Sequence, residues 1–207
     1  MLGLDLPHFG LFLGAALILA ATPGQGIAYV LARTVAGGRS EGLASALGTA
    51  AGGFVHVLAA ALGLSALLAE SARAYAVVKY GGAGYLIYLG VRTLWSSRGT
   101  VRVPERASRS GRGAFYEGIV VEGLNVKTAL FFLAFIPQFI DPSASPLAQF
   151  VLLGSICIVL NTAADVVVVF ATSRVRASRR VGQVLTACSG GSLIGLGVYV
   201  ALAKGQR

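Results

Sequence analysis

Two charged residues, Lys127 and Asp165, stand in stretches that are otherwise apolar. At the centre of a membrane span such a side chain costs about 2.5–3.5 kcal/mol on insertion scales, so it is kept where it pairs, binds or carries a proton. Lys127 falls about midway along its stretch and Asp165 nine residues before Arg174, which puts the two charges at similar depth. Asn161, one helical turn before Asp165, shares its face. This set could hold a zwitterion, Lys127 taking the carboxylate and Asp165 the ammonium, with Asp165 also a proton carrier. A buried ion pair that only joins helices is the other reading. His56 lies among Phe54, Val55 and Val57; its imidazole titrates near working pH and could relay a proton, or could simply hold a backbone carbonyl. Glu117 and Glu122 flank the start of the fourth apolar run and are expected at the membrane interface, Glu122 within the membrane instead if the helix begins early.

Two interruptions accompany these groups. Thr22-Pro23-Gly24-Gln25-Gly26 sits halfway along the first apolar stretch, and Gly123-Leu124-Asn125-Val126-Lys127 midway along the fourth. Proline removes a donor and clashes with the preceding turn, while glycine admits unusual dihedrals. The backbone groups freed by such a break cannot be satisfied by hydrocarbon, so they must face protein or a hydrated cavity. There the exposed N-terminus of a half-helix can receive an anion. The candidate substrate-binding residues are therefore Thr22, Pro23, Gly24, Gln25, Asn125, Lys127, Asn161 and Asp165, with Asp165 and His56 as candidates for proton coupling.

The elements that must position these residues follow from composition. Of 207 residues, 56% are apolar by side chain, 28 more are glycine, and only 12% are charged. A soluble domain carries about 25% charged residues, so a soluble enzyme is excluded. Apolar runs at 9–35, 42–68, 75–95, 114–140, 147–171 and 181–203 are long enough to span a bilayer. The expected fold is all-α: a single polytopic membrane domain of six transmembrane helices. Residues 1–97 form a first three-helix repeat, 98–113 a basic cytoplasmic linker, and 114–207 a second repeat. An odd number of spans inverts one repeat against the other, a recurrent plan for secondary transporters with a midplane site. The first run lacks a basic region before it and is read as a retained span.

The net charge of +9 is a matter of topology, not of nucleic-acid binding. Arg33 and Arg39 in the first turn, six arginines between 92 and 112, and four between 174 and 180 all fall on one side. By the positive-inside rule that side is cytoplasmic and both termini lie outside. Cys157 and Cys188 sit inside apolar runs without the spacing of a redox pair or metal site, which disfavours a membrane thiol-redox protein. One aspartate and one histidine beside a lysine make a poor cage for a divalent-metal exporter. No metal and no cofactor is expected. Gly48-x-x-x-Gly52 and Gly191-x-x-x-Gly195 offer small faces for close helix packing, with a homodimer contact as the alternative.

Taken together, Thr22-Pro23-Gly24, the glycines at 42, 48, 52 and 63, the run Lys79-Tyr80-Gly81-Gly82-Ala83-Gly84-Tyr85-Leu86-Ile87-Tyr88-Leu89-Gly90, and Asn125-Val126-Lys127 followed by Phe131–Ile140 with its Pro137-Gln138-Phe139 triplet resemble the LysE/RhtB-type amino-acid exporters over nearly the whole chain. The resemblance implies a bacterial inner-membrane protein that moves amino acids or close analogues out of the cytoplasm, driven by protons. Two departures stand out. Gln25 and Val126 occupy positions where the family usually has proline, which should leave both breaks less rigid.

Overall fold

The computed structural model describes residues 6–70, 72–96, 110–141, 144–172, 191 and 193–202. They are helical throughout: α1 (Leu6–Ala21), α2 (Gln25–Glu70), α3 (Ala72–Ser96), α4 (Gly111–Gly123), α5 (Val126–Ala134), a short 3₁₀ turn (Ile136–Phe139), α6 (Pro146–Thr172) and α7 (Leu193–Leu202). Two helices, Gln25–Gly63 within α2 and α6, are long and apolar enough to cross a membrane. α4 and the segment from α5 through the 3₁₀ turn are long and apolar enough only together, with a bend of 50° at their break, as in a broken span or a re-entrant loop.

Both interruptions are real. α1 stops at Ala21 because Pro23 has no N–H to continue the ladder, and α2 begins when Ala28 N donates to Gly24 O at 3.0 Å. The second break forms without a proline. Leu124 N and Asn125 N close the end of α4 on Val120 O and Glu122 O, and Asn125 Oδ1 then caps α5 by accepting from Lys127 N at 3.1 Å. Asparagine capping thus supplies the interruption that Val126 does not.

The turn expected between the first two spans is present: the chain reverses within α2 at Gly38, whose φ of 75° a side chain would disfavour, and the two arms pack on each other, a Cβ at Gly26 standing 3.9 Å from Thr49 Cγ2. Arg33 is nonetheless not a loop residue: it lies in the helical arm before the turn and is 1% exposed. The linker expected at 98–113 falls mostly outside the described residues. Its last three residues already belong to α4, where Ser110 Oγ accepts from Gly113 N.

The two arms of α2 form the centre of the bundle, packed against α4 and α6, while α3 lies on α5 and α1 on α6. Glycine sets the closest approach. A Cβ at Gly48 would run into Phe115 O, one at Gly52 would come 2.6 Å from Ile119 O, and one at Gly118 would lie 2.8 Å from Ser45 O. The Gly48/Gly52 face is therefore spent on α4 within one chain. A bilayer supplies no hydrophobic force between helices, so such contacts carry the association. Gly195, by contrast, has nothing within 4 Å.

Two layers flank the middle of the bundle. On the side of the Gly38 turn, Tyr29 and Arg33 of α2 meet Glu117 and Ala114 of α4. On the other side Phe12, Phe131, Phe135, Phe139 and Tyr199 pack ring on ring, with centroids 4.7 Å apart for Phe131–Phe135 and 4.8 Å for Phe135–Phe139. There Gln149, 1% exposed, clasps the backbone of Asp141 in both directions, at 2.9 and 2.8 Å. The outward faces carry Leu17, Leu62, Val77, Val159 and Val167, the apolar exterior that lipid requires.

Candidate functional site

The two breaks meet. Between the flanking layers lies a cavity of about 30 Å³ lined by residues of both breaks and of the two long helices, among them Thr22, Gly24, Asn125, Lys127, Asn161 and Asp165. That volume accommodates about two or three waters, so an amino acid could enter only if the helices part.

Six of the eight expected binding residues thus share one cavity. Pro23 is partly buried at the break and Gln25 is exposed, and neither lines the cavity. Gln25 opens the first turn of α2, and the residue that turns inward from that turn is Gly26. His56 also stays outside the lining. Its Nε2 lies 2.8 Å from Glu122 O, and since a carbonyl only accepts, Nε2 is the protonated nitrogen.

Lys127 and Asp165 face the same space without an ion pair between them. Lys127 Nζ donates to Thr22 O at 3.2 Å, at the C-terminal end of α1, where a positive charge suits the helix dipole. Asp165, 4% exposed, receives the Thr49 hydroxyl on Oδ2 at 3.0 Å, leaving Oδ1 to the cavity. The same Thr49 hydroxyl lies 2.9 Å from Ala46 O. It owns one hydrogen and stands between two acceptors. With Asp165 ionised it can serve only one of them fully. With Asp165 protonated, the acid donates to Thr49 and Thr49 to Ala46, and both bonds are made.

Glu122 is the lining residue that the sequence did not place among the binding candidates. It was expected at the interface unless the helix began early, and α4 does begin early: Glu122 is 8% exposed and lines the cavity. Its carboxylate accepts from Asn125 Nδ2 at 3.0 Å and Thr128 Oγ1 at 2.6 Å. It also reaches across to α2, where a Cβ at Gly26 would stand 2.9 Å from Oε2. The available signal was its position in the last turn of α4, directly before the break. Counting depth from the start of the apolar run obscured it, because α4 begins three residues earlier than that run.

Among the described residues, no three of His, Cys, Asp and Glu cluster as a metal site. Cys157 is buried in the apolar core, and Cys188 lies outside the described residues.

The model of the LysE type translocators matches residues 17–204. The chain is 31% identical to a homoserine/homoserine lactone efflux protein of Salmonella typhimurium over 151 residues, 72% of this chain and 73% of that one. It is 27% identical to an uncharacterized membrane protein of Vibrio cholerae over 97% of this chain and the whole of the relative. A Pseudomonas aeruginosa membrane protein, also uncharacterized, is 29% identical over 97% of both chains. No solved structure matches. On the extent of the family match and of these identities, the chain belongs to the LysE type translocator family.

Proposed function

We propose that this protein exports amino acids or close analogues from the bacterial cytoplasm in exchange for protons, by alternating access to the cavity between the two broken helices. The observation that carries the reading is the placement of Lys127 and Asp165 on the walls of one cavity in an otherwise apolar bundle. Charges are costly there, and lining a compartment that cargo visits accounts for their presence. In this reading the amine of the cargo docks on Asp165 Oδ1, beside Asn161 and the Thr22–Gly26 break. The proton returns on the same carboxylate, and the hydroxyl of Thr49, with two acceptors to choose between, suits both states of the acid.

The topology is six spans in two inverted halves, with both termini outside. The two breaks, α1/α2 and α4/α5, are the matching interruptions such a plan calls for. The Gly38 side then faces the cytoplasm and the aromatic layer faces out. His56 acts as a positioning group on the Glu122 carbonyl.

Homoserine and its lactone, the compounds named for the Salmonella relative, are the first cargoes to try. In vesicles containing the purified protein, a pH gradient should drive the movement of at least one of them, and an uncoupler should stop it. Asp165→Asn should fold and insert normally, judged by size-exclusion profile and thermal midpoint, and lose proton-driven flux. Undiminished flux in that variant removes Asp165 from the mechanism.

A further inference from the structure

The charges around the cavity define what it can carry, given the transport reading above. Three ionisable side chains line it: Glu122 from α4, Lys127 from α5 and Asp165 from α6. α1 and α2 bring only neutral groups. The ions Arg33, Glu41 and Glu117 lie in a separate layer, nearer the Gly38 turn.

Two of the three lining charges are already compensated. Glu122 accepts two hydrogen bonds, from Asn125 and Thr128, as a carboxylate does. It sits at the N-terminus of α2, and the Lys127 ammonium sits at the C-terminal end of α1. Each charge thus meets the helix end whose dipole favours it. They press on glycines two residues apart: a Cβ at Gly24 would lie 2.7 Å from Lys127 Nζ, and one at Gly26 would lie 2.9 Å from Glu122 Oε2. As a pair they add no net charge to the site. Among the described residues Asp165 has no comparable partner. What it receives is the neutral hydroxyl of Thr49.

We infer that the cavity holds one uncompensated negative charge, on Asp165, and that its cargo is a monocationic amine without a free carboxylate. That class comprises amino-acid amides, esters and lactones. Each cargo molecule exchanges for one proton, with no net movement of charge. A proton on Asp165 makes the site neutral, and so does an ammonium against it. The two occupants are therefore alternatives. A zwitterion adds no net charge and leaves the carboxylate uncompensated in a low-dielectric site, a state that is strongly disfavoured. It could restore neutrality only by binding together with a proton. A cargo that travels with a proton is pulled inward by the same gradient that must drive efflux. The cation keeps its proton on nitrogen as it leaves, and the proton that replaces it comes from outside.

The test uses matched pairs, a free amino acid and its primary amide, with small and with branched side chains. Flux is measured in vesicles holding the purified full chain, under a pH gradient, at a pH where the amine is protonated. Protein-free vesicles correct for leakage of the free base, and potassium with valinomycin sets the membrane potential. The protein-dependent flux of each amide should exceed that of its amino acid by at least about tenfold. Changing the potential at a fixed pH gradient should leave amide flux unaltered. Glu122→Gln, which uncovers the Lys127 charge, should shift the preference toward the free amino acid by at least about tenfold. Free amino acids moving as fast as their amides overturns the inference, as does amide flux that follows the potential. So does an unchanged preference in folded Glu122→Gln. Each of these leaves the transport reading standing. No protein-dependent flux for any compound overturns both.

Discussion

Arg33 of α2 and Glu117 of α4 form a half-buried ion pair one layer from the cavity, on the side of the Gly38 turn. Glu41, just beyond the turn, approaches the same guanidinium at 3.8 Å, and Tyr29 donates to Ala114 O at 2.6 Å beside it. The layer fastens α2 to α4 along the route from the cavity to the predicted cytoplasmic side. Opening that route requires the charges to part.

Breaking a buried pair by removing one partner costs about 3–5 kcal/mol, since the other charge is stranded. Arg33→Gln takes the cation from both Glu41 and Glu117 and should lower the thermal midpoint in detergent. Glu117, whose side chain is 24% exposed, should cost less as Glu117→Gln, about 1–2 kcal/mol. The double variant should fall short of the sum by at least about 1 kcal/mol. Additive losses would mean that the two residues do not act as a pair.

The glycines separate packing from function. A Cβ at Gly48 meets the backbone of Phe115, which cannot yield, so Gly48→Ala should depress folded yield and thermal stability. A Cβ at Gly26 meets the far end of the flexible Glu122 side chain, so Gly26→Ala should fold and lose most of its flux. Gly14→Ala, with nothing within 4 Å, should leave the stability the same or raise it by up to about 1 kcal/mol. Equal stability for Gly48→Ala and Gly14→Ala would contradict the close approach of α2 and α4.

The bond between His56 and the Glu122 carbonyl makes the role of the imidazole separable from titration. His56→Gln retains a donor and no titrating group, and should keep at least about half of the flux. His56→Leu removes the donor, leaves the Glu122 carbonyl with Asn125 N alone at a cost of about 0.5–1.5 kcal/mol, and should lose most of it. Equal loss in both variants, with normal folding, would assign His56 a proton.

Much of the site was legible because membrane burial is costly for polar groups: any charge or helix breaker inside an apolar run must be explained, and Lys127, Asp165, Asn161, Thr22 and Asn125 all answered to that rule. Gln25 did not. Being polar and beside the break suggested a lining role, but a helix's first turn sends adjacent residues in different directions, and here Gly26 points inward. Glu122 escaped for the opposite reason, because distance along a stretch measures depth only once the start of the helix is known.

Composition alone determined that this chain is a helical membrane protein, and residue order determined where two of its helices break, since a missing N–H and an asparagine cap act through their immediate neighbours. The partners of the charges were decided only by the tertiary structure. Lys127 and Asp165 do not pair with each other. One is held by the end of α1 and the other by Thr49 of α2, 105 and 116 residues away. Local propensity cannot specify which distant helix end or hydroxyl a buried charge will find, because that depends on how closely the glycine faces let α2 and α4 approach.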